Sequence, residues 1–247
     1  MTLPLFNVLS DMNLRCLTLF CIISTSFPMI AHAAEGPHWS YEGTHGPESW
    51  GDLSPDYIQC KVGVNQSPIN ITQAIEAELP PLTLDYNSNG IDLINNGHTA
   101  QVNVEPGNYL RIEDEEFELV QFHVHAPSEH RIEGKGFLLE VHYVHQNAKG
   151  ELAVVGVLYE EGKDHPKLTE YLSEVPTVVG KPVKFKMSLI DLQIVEGDKS
   201  YFHYNGSLTT PPCSEGVRWY VLKNVLTVSK RRRDMFNQLI GDDARGP

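Results

Sequence analysis

The chain has 247 residues, of which 41% are hydrophobic and 21% are charged. This length and composition suit one globular domain with a sizeable apolar core. The formal net charge of −13 at pH 7 argues against nucleic-acid binding, because neutralising phosphates requires a basic surface. We interpret the short basic run at residues 230–233 as a solvated face.

Residues 1–33 differ in character from the rest of the chain. An apolar run from Cys16 to Ile23 follows Arg15, and Ala31-His32-Ala33 supplies the small-x-small pattern that signal peptidases cut. The run is too short to cross a bilayer comfortably. We therefore predict a signal peptide at residues 1–33, one domain at residues 34–247, and no stable membrane anchor after cleavage.

Many short strand-like runs follow, separated by Gly, Pro and Asn, with few long amphipathic helices. The sequence therefore predicts a mainly β fold. One such run contains the first pair of a histidine cluster. His123 and His125 lie two positions apart, so in a strand both side chains point to the same face, close enough to bind one ion. Alternation places Phe117, Leu119 and Gln121 on that face too, opposite the apolar residues Val120, Phe122 and Val124.

The next strand-like run, residues 139–145, carries the other two histidines of the cluster. His142 and His145 have opposite parity, so they cannot both face the ion, and periodicity alone does not choose between them. Glu140 precedes His142 by two positions, just as Gln121 precedes His123. A ligand imidazole normally donates from its second nitrogen to such an oxygen, so this repeated spacing favours His142.

Three imidazoles with no cysteine nearby indicate a catalytic zinc site with an open fourth position, since structural zinc sites usually include cysteine. A rival pattern is His123-x-His125-x3-Glu129 followed by Gly136, which partly resembles the first motif of the cupins, small β-barrels that bind metal through His and Glu. The glycine that opens the cupin motif is replaced here by Phe117. The later histidine of that family is followed four positions on by asparagine, whereas His142 comes only six residues after Gly136 and is followed at that position by Gln146. The cupin interpretation is therefore the weaker alternative.

Five further segments, in the order in which they occur, resemble the α-class carbonic anhydrases, and the resemblance runs from about His38 to Arg245. They are Tyr41-x5-Pro47-Glu48-x-Trp50, Gln66-Ser67-Pro68-Ile69, Asn95-Asn96-Gly97-His98, Ser128-Glu129-His130 and Gly206-Ser207-Leu208-Thr209-Thr210-Pro211-Pro212-Cys213. The resemblance implies a single domain around a large twisted, mostly antiparallel sheet with a few short helices. The zinc site would lie at the bottom of a conical cleft.

The resemblance also implies the site. The zinc ligands would be His123, His125 and His142, oriented by Gln121 and Glu140, and His145 would face away. Zinc would lower the pKa of its bound water to about 7, a value for which carbonic anhydrase is itself the reference case, and the hydroxide would attack carbon dioxide.

Other residues take their expected roles from the same resemblance. Thr209 would accept a hydrogen bond from the hydroxide and donate its own proton to Glu129, and His98 would shuttle protons to buffer. Gln101 lies where many relatives carry asparagine, and Tyr41 would help to order water. The apolar wall beside carbon dioxide would consist of Val144, Val154, Leu208 and Trp219, and Thr210 would also line the substrate pocket.

Removing residues 1–33 leaves Cys60 and Cys213 of the four cysteines. Two cysteines in an exported chain suggest one disulfide, and this pair matches a bridge found in many secreted relatives. The segment after Asp243 resembles the start of a final strand that relatives continue, so we expect reduced stability here. The carbonyl at Asp243 would support His125.

The predicted function is zinc-dependent interconversion of carbon dioxide and bicarbonate, in the periplasm or outside the cell. Sulfonamides and anions would inhibit it, and the protein would be a monomer or homodimer. The alternatives are a catalytically weak or inactive binding protein of the same fold and, with less support, a cupin-type metal protein. Intact His123, His125, His142, Glu129 and Thr209 favour the enzyme.

Overall fold

The computed structural model describes residues 37–189 and 200–247, and the predicted signal peptide lies outside them. Alternation of apolar and polar side chains explains many of the strands. In the strand Ala100–Val104, for example, every second side chain is buried and the intervening Gln101 and Asn103 are half-buried. A strand with one face on the core requires this period of two.

The described strands are β1 (Asn70–Ile71), β2 (Thr83–Tyr86), β3 (Gly90–Asn95), β4 (Ala100–Val104), β5 (Asn108–Ile112), β6 (Glu115–His125), β7 (Arg131–Ile132), β8 (Leu139–Gln146), β9 (Leu152–Glu161), β10 (Val183–Lys184), β11 (Tyr201–Ser207), β12 (Glu215–Leu222) and β13 (Leu226–Val228). The α-helices are α1 (Trp50–Leu53), α2 (Gln59–Val62), α3 (Pro166–Ser173) and α4 (Lys230–Ile240). Short 3-10 turns lie at Gly43–His45, Pro47–Ser49 and Pro55–Tyr57. Over the described ranges, no helix has both the length and the apolar character that a bilayer crossing requires.

One sheet of eleven strands dominates the described residues, in the order β10-β3-β4-β6-β8-β9-β12-β11. Strand β13 lies beside β9, and β5 pairs with both β2 and β6. In this sheet β9 pairs in parallel with β12 and β13, and the other described pairs are antiparallel. The prediction of a large, mostly antiparallel sheet with a few short helices is confirmed.

The two faces of the sheet pack differently. In β9, Val155 and Val157 join the main core, which also receives Tyr171 from α3 and Phe236 from α4. The alternate residues Val154 and Leu158 join a smaller apolar cluster around Trp219. Because neighbouring strand residues point to opposite faces, α3 and α4 cover one face while the second face is left for the smaller cluster and the site.

A β-bulge in β6 corrects one prediction from the sequence. The pairing with β8 shifts between Leu119 and Gln121, so Val120 is an extra residue and is 48% exposed. Phe117 and Leu119 are therefore buried in the same core as Phe122 and Val124, and not on the face of the histidines. Simple alternation failed because one inserted residue reverses the facing of everything before it.

Candidate metal centre

The register between β6 and β8 brings the predicted ligands together. His123 pairs directly with His142, and His125 pairs with Glu140. Directly opposed residues of an antiparallel pair point to the same face of the sheet, so all four side chains share one face. His145 faces the other way, where its Nε2 lies 2.7 Å from the hydroxyl of Tyr86.

The three imidazoles converge on one point. Their ring centroids lie 4.9 Å apart for His123 and His125, 5.3 Å for His123 and His142, and 4.6 Å for His125 and His142. One nitrogen from each ring lies within 4.8 Å of the others. Three donors at this spacing form a set that a single metal ion can bridge.

Each ring is fixed through the nitrogen that faces away from this point. His123 Nδ1 donates to Gln121 Oε1 at 2.8 Å, and His125 Nδ1 donates to the carbonyl oxygen of Asp243 at 2.6 Å. His142 Nε2 lies 2.9 Å from Glu140 Oε1, although its N–H does not point squarely at that oxygen. The sequence spacing anticipated the side-chain contacts of Gln121 and Glu140.

Burial controls the protonation of two of the histidines. It lowers the pKa of His123 well below the usual value, with help from the neighbouring histidines, and it also lowers the pKa of His142. Burial acts on His125 too, but the carboxylates of Glu129 and Asp243 raise the pKa of His125 above its usual value. A metal ligand must be the neutral imidazole, so the site favours the binding form at His123 and His142.

Glu129 is fully buried beside the three rings. Its Oε1 accepts a hydrogen bond from the backbone N–H of Arg245 at 2.9 Å. Its Oε2 lies 3.5 Å from His125 Nε2 and accepts no hydrogen bond from any residue that the structure describes. Thr209 is only 6% exposed, yet its hydroxyl does not reach Glu129 in this arrangement.

The donor set fits a zinc ion. The Nε2 of His125 is buried and has no hydrogen-bond partner among the described residues, which would be costly without a ligand. Three imidazole nitrogens with no cysteine among them match the ligands of catalytic zinc sites. A second group, His130, Glu140 and His142, also lies within 4.8 Å, but His130 and Glu140 already hydrogen-bond one another there.

A family model described as eukaryotic-type carbonic anhydrase matches residues 45–246. A carbonic anhydrase of Pectobacterium carotovorum is 44% identical over 210 residues, which cover 85% of this chain and 86% of the relative. The carbonic anhydrase of Neisseria gonorrhoeae is 38% identical over 234 residues, which cover 94% of this chain and 92% of the relative.

The structure of the α-carbonic anhydrase from Thermovibrio ammonificans, solved in complex with the inhibitor sulfanilamide, superposes with a TM-score of 0.82. It is 41% identical, and the match covers 85% of this chain and 95% of that one. The chain belongs to the α-carbonic anhydrases. It is therefore an enzyme of a family that hydrates carbon dioxide. This membership removes the cupin alternative, and the described strands agree, since their order runs from β10 to β11 without closing into a barrel.

The residues predicted to form an apolar wall for carbon dioxide lie in or beside the smaller cluster. Val154 and Trp219 are buried in the smaller cluster, and Val144 and Leu208 pack against it. The ring of Trp219 lies 4.8 Å from that of His142, which brings this cluster to the edge of the metal site. Thr210 is half-buried, and its carbonyl accepts from the backbone N–H of Cys213 at 2.9 Å.

His98 occupies a turn at the end of β3 and stacks on an aromatic ring. Asn96 Oδ1 accepts from the backbone N–H of His98 at 2.9 Å, and the imidazole lies flat on Trp39 with centroids 3.7 Å apart. Burial, followed by the nearby charge of His38, lowers the pKa of His98 below its usual value. The side chain is half-buried and so retains contact with solvent.

The predicted disulfide is confirmed. Cys60 and Cys213 are bonded across a sequence separation of 153 residues. Cys213 ends the loop that carries Thr209, and its carbonyl accepts from Gln66 Nε2 at 3.1 Å. The bridge holds the loop against α2, and the hydrogen bond holds it against the segment that follows.

Sequence reasoning missed several contacts made by residues distant in the chain. The carboxylate of Asp243 accepts from the backbone N–H of Ala126 at 2.6 Å, and burial raises the pKa of Asp243 to about 7. The guanidinium of Arg245 donates to Gln66 Oε1 at 3.0 Å and to the Ser67 carbonyl at 2.8 Å. Tyr204 contacts His130 at 2.6 Å. No local spacing encodes these pairs, since each joins residues more than seventy positions apart.

Proposed function

We propose that this enzyme catalyses the reversible hydration of carbon dioxide with a zinc ion held by His123, His125 and His142. The observation that carries the proposal is the convergence of three imidazole nitrogens within 4.8 Å. Catalytic zinc sites keep three protein ligands and leave one position open. His123 and His125 would bind through Nε2 and His142 through Nδ1, because the opposite nitrogens contact Gln121, the Asp243 carbonyl and Glu140.

Bound zinc supplies hydroxide near neutral pH by lowering the pKa of water, carbonic anhydrase itself being the reference case. The chain's own residues then fix the geometry. Glu129 presents Oε2, a buried acceptor with no other partner among the described residues, and we assign the Thr209 hydroxyl as its donor during catalysis. A hydroxyl that donates its proton to Glu129 can only accept a hydrogen bond from the nucleophile. It therefore selects a nucleophile that carries a proton and orients it.

The substrate side is apolar. Carbon dioxide carries no charge and no hydrogen-bond donor, so burial beside Val144, Val154, Leu208 and Trp219 suits it. Thr210 lies on the same loop and would border the product. Each hydration releases a proton, and we assign His98 to carry it to buffer, since an imidazole titrates close to neutral pH.

Stopped-flow hydration of carbon dioxide, with metal analysis of the same samples, tests the proposal. We expect one zinc ion per chain in the parent protein, and loss of both zinc and hydration activity in His142→Ala. The matched control is His203→Ala, because His203 is exposed on β11 and stacks on Tyr220 with centroids 4.7 Å apart. Activity that survives both removal of zinc and His142→Ala would overturn the proposal.

We also propose that the enzyme works in the periplasm or outside the cell after removal of residues 1–33. The Cys60–Cys213 disulfide supports this, because such bonds persist in oxidising compartments. Sequencing the mature N-terminus from fractionated cells tests it, and an intact N-terminus in the cytoplasmic fraction would contradict it. Sulfonamides and anions are the proposed inhibitors, since the Thermovibrio ammonificans relative binds sulfanilamide.

A further inference from the structure

Glu140 is the centre of a buried hydrogen-bond network that extends away from the metal site. Its Oε2 accepts from the backbone N–H groups of Glu129 at 3.0 Å and His130 at 2.8 Å. Its Oε1 lies 2.7 Å from His130 Nδ1 and 2.9 Å from His142 Nε2. Every contact is with an N–H group, so Glu140 acts purely as an acceptor. It is fully buried, so losing one of these donors would be costly.

The network continues behind His130. Its Nε2 lies 2.6 Å from the hydroxyl of Tyr204, and that hydroxyl lies 2.8 Å from Ser67 Oγ. Because Glu140 must accept from Nδ1, a neutral His130 carries its proton there and offers a lone pair at Nε2. Tyr204 therefore donates to His130, and Ser67 donates to Tyr204.

Ser67 connects this network to the loop that carries Thr209. The backbone N–H of Ser67 donates to Ser207 Oγ at 2.8 Å, and the backbone N–H of Ser207 donates to Ser67 Oγ at 3.0 Å. The position between Tyr204 and Ser207 that approaches Ser67 is Gly206, where a Cβ atom would lie 2.1 Å from Ser67 Oγ. The strand can approach Ser67 closely only because residue 206 has no side chain.

We propose that Tyr204 is a positioning residue for the metal centre, acting through His130 and Glu140 on His142. The inference rests on the proposed function, since it concerns the third zinc ligand. The Tyr204 hydroxyl donates to Nε2 and so holds the His130 ring with its Nδ1–H aimed at Glu140. Without that hydroxyl Nε2 is a buried acceptor with no donor, and the ring can turn so that Nδ1–H points less directly at the carboxylate. Glu140 then loses one of its anchors and orients His142 less firmly.

The test is Tyr204→Phe, which removes the hydroxyl but keeps a ring for the near-parallel contact with Trp219, whose centroid lies 6.2 Å away. Zinc-loaded protein is mixed with excess chelator, and the rate of zinc release is followed. We expect release roughly tenfold faster than in the parent, the lower end of the effect of losing a group that supports a metal ligand. The absorption spectrum of the cobalt-substituted variant is expected to shift as well.

Tyr86→Phe is the matched control. Tyr86 also makes a buried tyrosine–histidine hydrogen bond, to His145 Nε2 at 2.7 Å, and His145 lies on β8 like His142. His145 faces the opposite side of the sheet and makes no contact with Glu140 among the described residues. We therefore expect Tyr86→Phe to lower stability but to leave zinc release and the cobalt spectrum unchanged.

Equal acceleration in both variants would mean that either lost hydrogen bond simply loosens the fold, and it would overturn the inference. Unchanged release and spectrum in Tyr204→Phe would overturn it too, while leaving the proposed function intact. A parent protein that binds no zinc would instead overturn the proposed function and this inference with it. Should Tyr204→Phe fail to fold, Ser67→Ala removes the donor to Tyr204 and is expected to accelerate release by a smaller factor; no change would count against the network.

Discussion

The backbone N–H of Arg245 donates to the carboxylate of Glu129 across 116 sequence positions. It occupies Oε1 and leaves Oε2 without a partner among the described residues. The two oxygens of one buried carboxylate therefore have separate tasks. One anchors the C-terminal segment beside the metal centre, and the other remains available to a hydroxyl donor.

Glu129→Gln tests this division. The amide oxygen can still accept from Arg245, but the other atom becomes an NH2 donor and cannot accept from Thr209. We expect kcat/KM for carbon dioxide hydration to fall by roughly 10²-fold with zinc still bound, because the orientation of the nucleophile is lost. If the two residues act as one unit, adding Thr209→Ala costs little more. Loss of zinc from Glu129→Gln would show that Glu129 is a metal ligand after all.

His98→Ala is expected to lower kcat by roughly 10²-fold in a poorly accepting buffer, the low end of what a positioned proton-transfer group contributes. The value of kcat/KM should hold, because proton release follows the reaction with carbon dioxide. Imidazole buffer should restore kcat by replacing the missing side chain. The lowered pKa of His98 places the acid limb of the kcat profile below pH 6.5 in the parent. A fall in kcat/KM equal to the fall in kcat would contradict the shuttle role.

The buried His145 should make stability depend on pH. Burial lowers the pKa of His145 from 6.5 to about 4 in the folded protein. As the pH falls below about 6.5 the unfolded chain takes up a proton first, so the contribution to stability is complete above that pH and is lost progressively down to pH 4. Between pH 6.5 and 5 the loss is about 2 kcal/mol, at 1.36 kcal/mol per pH unit.

Urea denaturation at pH 7.5 and pH 5 measures this loss. His145→Gln removes the titrating group, so the parent should lose about 2 kcal/mol more than this variant on acidification. His203→Gln is the control, because it makes the same substitution at an exposed position. Identical acid sensitivity in the parent and His145→Gln would refute the assignment.

Reduction of the Cys60–Cys213 bond should lower the free energy of unfolding by on the order of 4–5 kcal/mol, since the bond closes a loop of about 150 residues in the unfolded chain. Activity at saturating substrate should fall as well, because Cys213 closes the loop that carries Thr209. Denaturation midpoints and hydration rates with and without dithiothreitol provide the measurement. The double variant Cys60→Ser, Cys213→Ser should be indifferent to reductant, and a parent equally indifferent would contradict the prediction.

Local patterns in the sequence were sufficient to predict a mainly β fold and the opposite facing of His142 and His145, which is found in the structure. The order of the five motifs added the family and, with it, the large, mostly antiparallel sheet. Local patterns could not reveal the bulge at Val120, because an inserted residue breaks the period on which the reasoning depends.

Contacts between residues far apart in the chain also could not be predicted from local sequence patterns. Tyr204, Arg245 and the carboxylate of Asp243 meet the site only because the sheet and the C-terminal segment fold around it. Their partners are backbone groups or side chains with no periodic relation to them. Sequence patterns therefore identify the metal ligands better than the distant residues that hold those ligands in position.

The bulge at Val120 divides β6 into two segments with independent rules. Before the bulge, Phe117 and Leu119 point into the hydrophobic core. After it, Gln121, His123 and His125 point to the face that carries the metal site. Because Val120 is one extra residue between the two segments, apolar side chains in the first segment can be exchanged without rotating an imidazole in the second. Deleting Val120 would restore simple alternation, so keeping Phe117 and Leu119 in the core would turn the histidines toward the core as well.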